Sequence, residues 1–486
     1  MEHNNLNLIR EEHLYLRVAG EIENQITRAV LKIGERLPSV RVLSKEQGIS
    51  VSTATQAYFH LEAKGLIEAR PQSGYYVRFS PRQFPAMPAK SQPLLQPVEA
   101  NAADIIDDVY ANISDTSLIR FSVGVPAPEL LPIAKLNKTM HEALRELPAS
   151  GTEYDSLAGN LRLRRQIARR ALLWGGQLTE DDVVTTAGCM NALSFALMAL
   201  TERGDTIATE SPAYFGVLQL ASSLGLRVLE LPTDCATGVD LDALKQALGT
   251  EKIKACVFVC NFSNPLGSCM PDEHKKSLVR LLEHHNVPLI EDDLYGDVYF
   301  GKSRPRSCKS YDESGLVLWC GSVSKTLAPG YRVGWIAPGR YLEKIKRLKL
   351  YHSVSAPTLT QEVIGRFLEN GRYEHHLRRV RQVLYANMLQ YVRTICECFP
   401  ENTRVCRPQG GFMLWVELPP HIDTFDLYRK AIRQGISIAP GRIYSLQEQY
   451  RNCMRLCYGL VWQPRIEEAL RRLGTMCNIA PAGAAG

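Results

Sequence analysis

No stretch of this 486-residue chain approaches the ~20 consecutive apolar residues that span a bilayer, and no charged segment followed by an apolar run opens it. Neither membrane insertion nor secretion is expected, and the chain reads as a cytoplasmic one. Cysteine is absent from the first 188 residues, and the 13 that follow include no Cys-x-x-Cys pair; several, such as Cys256 and Cys260, lie in apolar runs. That pattern predicts reduced, buried thiols and no bound metal. Strong charge is lacking as well, since residues 1–80 carry ten Lys/Arg against nine Asp/Glu. At 45% hydrophobic the composition suggests neither disorder nor a fibre, and the length allows two or three domains with substantial cores.

Residues 9–80 read as a separate unit. Leu16, Ala19, Ile22, Ile26, Val30 and Ile33 recur at helical spacing over 14–33. Ser39, after Leu37-Pro38, caps a second helix over 41–47 that Gly48 ends, and Ser50 caps a third over 51–64 closed by Gly65. Two short β-type runs, 66–70 and 75–78, then flank Pro71-Gln72-Ser73-Gly74 as a hairpin. Three short helices and a hairpin form a winged helix-turn-helix, whose third helix fits a major groove. Ser52, Thr53 and Gln56 are expected at the bases, Arg36 and Arg41 at backbone phosphates, and the Gly74 tip in the minor groove, with the capping Ser39 and Ser50 also counted among the DNA-binding residues. A purely structural helical module is the alternative, and the near-neutral charge favours it.

Residues 81–117 read as a linker with five spaced prolines between Pro81 and Pro97, helical at most over 102–112. An α/β pattern follows over 118–478, its larger part over about 118–350 and its smaller over about 351–478, with alternation at Gly410 to Leu418. The Lys/Arg-rich stretches 340–349 and 372–381 read either as solvated helix faces or as extra contacts to DNA phosphates. Pro481 to Gly486 reads as a loose tail.

One small-residue turn of the α/β part combines an amine, two hydroxyls and a guanidinium: Ser322-Val323-Ser324-Lys325, then Pro329-Gly330 and Arg332. A lysine enclosed among apolar groups and cations is partly deprotonated and attacks carbonyls, while two hydroxyls and an arginine suit a phosphate. Together they imply a phosphorylated aldehyde held through Lys325, which describes pyridoxal phosphate (PLP). The complementary parts are present in order. Ala187-Gly188-Cys189 is a tight turn between a strand and a helix, aiming the amides of Gly188, Cys189 and Met190 at an anion. Tyr214 either stacks on the ring or is a packed core residue. Asn264, in Asn-Pro-x-Gly, sits where a strand ends in a turn, within reach of a ring oxygen. Asp292, after Val287-Pro-Leu-Ile, supplies a carboxylate for a pyridine nitrogen, with Tyr295 three residues on and Glu291 and Asp293 as supporting or capping groups.

These motifs, from about Phe121 to about Leu473, resemble the fold-type I aminotransferases. The resemblance implies a mainly parallel sheet in a large domain, a smaller α+β C-terminal domain, and Lys325, Asp292 and Asn264 in the roles just described. It further implies that Tyr154, in Tyr-(x)4-Gly-(x)3-Leu-Arg, reaches the phosphate site of a partner subunit in a homodimer, and that Arg455 clamps the α-carboxylate of an amino compound. One departure is Ala187-Gly188-Cys189-Met190, where relatives often read Ser-Gly-Ala-Gln. Residues 36–43 and 57–67 are similar to the GntR family of bacterial regulators, with Val51 where relatives often carry Arg. A GntR head on an aminotransferase-like body is the arrangement of the MocR subfamily. The resemblance thus implies a PLP-dependent regulator that binds an operator in double-stranded DNA and senses PLP or an amino compound; a working aminotransferase is the alternative.

Overall fold

The computed structural model describes residues 2–27, 30–31, 34–64, 66–70, 73–78, 84–100, 115 and 117–478. Ile33, Gly65, Pro71 and Gln72, the stretch 102–112 and the tail 481–486 lie outside the described residues. The chain forms two compact units, residues 1–85 with 386–398, and residues 86–385 with 399–486.

In the first unit, helix α1 (Glu2–Thr27) precedes α2 (Val40–Gln47) and α3 (Val51–Ala63). Val18, Ala19 and Ile22 are buried, whereas Leu16 and Val30 are exposed. The buried face of α1 therefore runs through Val18 rather than Leu16. Ser39 caps α2 by accepting from Val42 N, and Gly48 ends it in the left-handed conformation, φ 62°. Tyr58 of α3 is fully buried and donates to Pro38 O at 2.7 Å, tying α3 to the segment before α2. Strands β1 (Ile67–Arg70) and β2 (Gly74–Val77) pair antiparallel, Ile67 opposite Val77.

The second unit is built on a nine-stranded sheet. Five strands form its parallel centre, in the order Arg227–Asp234, Thr206–Ser211, Ile253–Phe258, Leu289–Asp292 and Val317–Ser322. Gly334–Ala337 then pairs antiparallel with Val317–Ser322, and Val184–Thr186 pairs antiparallel with it in turn. Continuous apolar runs such as Ala255-Cys256-Val257-Phe258 make these central strands, because helices cover a parallel sheet on both faces. Helix Cys189–Leu200 packs Ala192, Leu193 and Ala196 onto one face; Leu278 and Leu282 of helix Asp272–His285 belong to the core of the other. A four-stranded antiparallel sheet, Arg404–Val405, Met413–Glu417, Cys453–Cys457 and Ala439–Pro440, builds the smaller C-terminal lobe. Ile436–Ser437 pairs with Ile119–Arg120, so the start of the α/β part is shared with that lobe.

Two expectations change. Residues 86–100 are not a free spacer: Val98–Glu99 adds an edge strand beside Val228 and Arg227, and Leu94 and Gln447 exchange two hydrogen bonds. Nor are all thiols reduced, for Cys235 and Cys406 form a disulfide that joins segments 171 residues apart across the two lobes. Spacing along the chain carries no sign of a pair that only the packing of the lobes brings together.

Candidate functional site

The parallel strands end in a cavity of ≈ 190 Å³, lined among others by Gly124, Tyr214, Phe215, Asn264, Asp292, Tyr295, Lys325 and Arg455. Ligands lie at the carboxyl ends of strands in open α/β sheets, and Asp292 is the last residue of its strand. Its Oδ1 accepts from Leu294 N at 3.2 Å and from the Cys189 thiol at 3.3 Å. Burial pushes the Asp292 carboxyl up to about 6; the thiol bond opposes this and the Asp293 carboxylate adds to it. Alternation along the strand sends Glu291 to the other face, where it accepts from Cys308 N at 2.8 Å and Lys309 N at 3.1 Å. Asp293 is held by Arg304 Nη2, by Trp319 Nε1 at 2.8 Å and by Asn261 Nδ2 at 3.0 Å. Of three consecutive acids, only Asp292 lines the cavity.

Lys325 donates to the Gly124 carbonyl. Burial brings its ammonium down to about 8, and Arg455 acts in the same direction, while Cys457 and Asp292 oppose it. The side chain is therefore an amine of usable nucleophilicity near neutral pH. Arg455, in strand Cys453–Cys457, is 2% exposed; it donates to Asn264 Oδ1 at 3.2 Å and to the Ser122 carbonyl, and its Nε is buried with no hydrogen-bond partner among the described residues. Tyr295 packs edge-on to Phe412, and burial raises its phenol well above the ordinary range. Tyr214 begins helix Phe215–Ser223 and lies at the cavity wall, next to the ring of Phe215.

Three segments converge beside this cavity to form a cradle. Ser322 Oγ and Ser324 Oγ are 2.7 Å apart, and Ser322 Oγ donates to Val333 O at 2.8 Å. Arg332, at φ 54°, reaches Ser324 Oγ at 3.5 Å and Ala187 O at 3.2 Å. Gly188, at φ 92°, precedes helix Cys189–Leu200; a Cβ there would stand 2.2 Å from Arg332 Nη2. Only glycine leaves that space, and the helix N-terminus behind it presents Cys189 and Met190 amides to an anion. The Cys189 side chain points instead at Asp292.

The sequence motifs did not flag Ser122 to Val125 or Phe215 as cavity wall, nor the thiol bond to Asp292. The small-residue run around Gly124 was the available signal: a Cβ there would stand 2.8 Å from Met413 Cε and 3.4 Å from Arg455 Nη1. Tyr154 is 83% exposed, on the surface of its unit.

In the first unit, Ser52 and Gln56 are exposed on α3, and Arg36, Arg41 and Gly74 are exposed as well. Thr53 is not. It is 2% exposed and bound through its N–H and hydroxyl to Ser50 Oγ at 3.0 and 2.7 Å, so it completes the helix cap and cannot read a base. Ser39 and Ser50 likewise spend their hydroxyls on caps. Of the basic stretches, Lys349 is buried and three others have partners: Arg340 bonds Asn286, Lys346 pairs with Glu343 and Arg381 with Glu374.

Sheet, cradle and cavity define a PLP-dependent aminotransferase framework, which shares its chain with a DNA-binding head. The Aminotransferase class I and II family profile matches residues 116–473, and that of the bacterial regulatory proteins, gntR family, matches residues 14–77. The HTH-type transcriptional regulators YjiR and YdcR of Escherichia coli K12 are 40% and 36% identical, over 96% and 95% of this chain and 98% of each relative. A solved relative is LysN, the alpha-aminoadipate aminotransferase of Thermus thermophilus, complexed with N-(5'-phosphopyridoxyl)-L-leucine; it matches with TM-score 0.71 and 28% identity over 77% of this chain and 94% of that one. The chain belongs to the MocR subfamily of GntR-type transcription regulators, in which a winged helix-turn-helix precedes an aminotransferase class I and II domain. Its cofactor is PLP, and the residues present fit that group: an anion cradle that a Cβ would fill, an amine and a buried carboxylate.

Proposed function

We propose that the protein is a PLP-dependent, DNA-binding transcription regulator whose aminotransferase-like domain senses PLP or an amino compound. The observation that carries this reading is one chain holding both a winged head with Ser52 and Gln56 exposed on its third helix and a pocket lined by the Lys325 amine, a buried carboxyl and a buried arginine. Lys325 would hold the cofactor aldehyde and Asp292 the ring nitrogen. Asn264 and Tyr295 would serve the ring oxygen, Tyr214 the ring face, and Gly188, Cys189, Met190, Ser322, Ser324 and Arg332 the phosphate. Bound there, PLP supplies an electrophilic carbon that captures primary amines and a ring that draws electrons. Arg455, buried and with a planar fork suited to a carboxylate, would select amines that carry one.

Tyr154, exposed on its own unit, would complete the phosphate site of a second subunit, making a homodimer that presents two heads to an operator with two half-sites. Such a protein works in the cytoplasm, where its DNA is, and among the described residues no helix is long and apolar enough to cross a membrane. Arg36 and Arg41 would take phosphates, Ser52 and Gln56 the bases, and Gly74 the minor groove.

Fluorescence anisotropy with genomic fragments around the protein's own gene, with and without PLP and a panel of amino acids, tests the reading. Affinity for one fragment should change on adding PLP or one amino compound. The gathering of Lys325, Asp292 and Arg455 at one cavity supports a second reading, a working aminotransferase. Steady turnover of an amino acid with a 2-oxo acid, and DNA affinity indifferent to PLP and amino acids, would establish it instead.

A further inference from the structure

The Cys235–Cys406 disulfide lies at the seam between the two lobes of the second unit. Cys235 follows strand Arg227–Asp234 in a turn that Asp234 Oδ1 closes by accepting from Ala236 N at 2.8 Å and Thr237 N at 3.1 Å. Cys406 follows strand Arg404–Val405, and its N–H donates to Trp415 O at 3.1 Å. Both sulfurs lie in an apolar cluster with Leu266, Trp415, Tyr444 and Phe215, and Phe215 also lines the cofactor cavity.

The same seam anchors the segment through which the chain enters this unit from the DNA-binding head. Val405 N donates to Ala86 O at 2.9 Å, beside Cys406. Two residues before Cys235, Thr233 O accepts from Ser91 N at 3.1 Å and Thr233 N donates to Ser91 Oγ at 2.7 Å. Ser91 Oγ also donates to Ser211 O at 2.6 Å, at the end of a central strand. The linkage thus joins the two backbone segments on which residues 86–91 rest, and it adjoins a wall of the pocket.

We propose that Cys235 and Cys406 form a redox modification site through which this protein responds to hydroperoxides, the disulfide holding the entering segment against both lobes and the dithiol releasing it. In the oxidation, two S–H bonds and the O–O bond of hydrogen peroxide break, one S–S bond forms, and the two protons and two electrons leave in two molecules of water. A dithiol reverses it by exchange, becoming a disulfide itself while its protons pass to Cys235 and Cys406. Cys235 is the point of attack: it is 7% exposed, in a turn whose Ala236 faces solvent, whereas Cys406 is 1% exposed. A cross-link between residues so far apart in sequence removes much chain freedom when the seam opens, so its loss shifts the local opening equilibrium. This site stands apart from the reading of the cofactor pocket, and its test uses no DNA or amine.

Full-length, PLP-loaded protein is treated with hydrogen peroxide or with dithiothreitol, the reagent is removed, and peptide mapping is combined with amide hydrogen exchange. The Cys235–Cys406 cross-linked peptide should form in the first sample and vanish in the second, with amides of residues 86–100 exchanging at least about fivefold faster in the second. Cys406→Ser and the apolar Cys406→Ala should both exchange like the reduced protein whatever the treatment. The proposal is overturned if peroxide yields no such cross-link, or if exchange over 86–100 is the same in the oxidised and reduced wild-type protein; that comparison needs no variant to fold.

Discussion

Gly188→Ala separates what the cradle does for binding from what it does for folding. Gly188 sits at φ 92° and ψ 169°, a region open almost only to glycine, so an alanine there carries about 1–3 kcal/mol of backbone strain. That strain is present with and without PLP, and it should appear as lower stability in both states. The added Cβ would stand 2.2 Å from Arg332 Nη2 and 2.7 Å from Cζ, so the guanidinium must swing away from Ala187 O and Ser324 Oγ. Losing one hydrogen-bonded ionic contact to the phosphate costs about 1.5–3 kcal/mol, which at 1.4 kcal/mol per decade is a roughly 10- to 150-fold rise in the Kd for PLP. Equilibrium titration of the apoprotein by absorbance, with thermal melts of the apo and loaded forms, reads both quantities. Arg332→Ala should reproduce the loss in affinity without the strain. A Gly188→Ala Kd within about threefold of the wild-type value, at a stage where Arg332→Ala loses more than tenfold, would refute the placement of the phosphate against this arginine through Gly188.

Three further outcomes follow from the geometry. Borohydride treatment of the loaded protein should fix the cofactor to Lys325, and Lys325→Ala should abolish the fixed mass; because burial holds this amine down to about 8, its neutral fraction grows as pH rises, so covalent loading should accelerate about tenfold per unit below pH 8 and level off above it, and a rate flat from pH 6 to 9 would contradict this. Asp292→Asn removes the buried charge while keeping an oxygen that can accept from the Cys189 thiol; the amine-to-keto-acid half-reaction, followed spectroscopically with an amino-acid panel, should slow by at least about 100-fold, and wild-type rates would sink the assignment. In the head, Thr53→Val keeps the N–H that caps on Ser50 but loses the buried hydroxyl bond and should lower stability by about 1 kcal/mol, whereas Gln56→Ala should leave stability unchanged and weaken operator binding; DNA titration paired with denaturant melts would show the reverse pattern if Thr53 were a base reader.

Motif order alone determined the two-part organisation, because each chemical task demands a residue type that its neighbours in sequence must present: a strand end for Asp292, a glycine turn for the phosphate, a hydroxyl pair beside Lys325. Caps were legible for the same local reason, since Ser39, Gly48 and Ser50 act within one helical turn of themselves. Contacts made across long separations were not. Periodicity could not decide between Leu16 and Val18 as the buried face of α1, nor show that Thr53 turns inward to Ser50, since half a turn of helix separates a base-reading position from a core one. A proline-rich composition predicts a spacer, yet residues 86–100 are held by partners more than 100 positions away, among them Thr233, Gln447 and Val228. Selection of Asp292 from three adjacent acids needed the strand's alternation together with the ion pair to Arg304 and the hydrogen bonds from Trp319 and Asn261 that occupy Asp293. The pairing of Cys235 with Cys406 needed the two lobes to meet, because a Cα–Cα separation of 5.8 Å between residues 171 apart is a property of packed lobes and not of any local pattern.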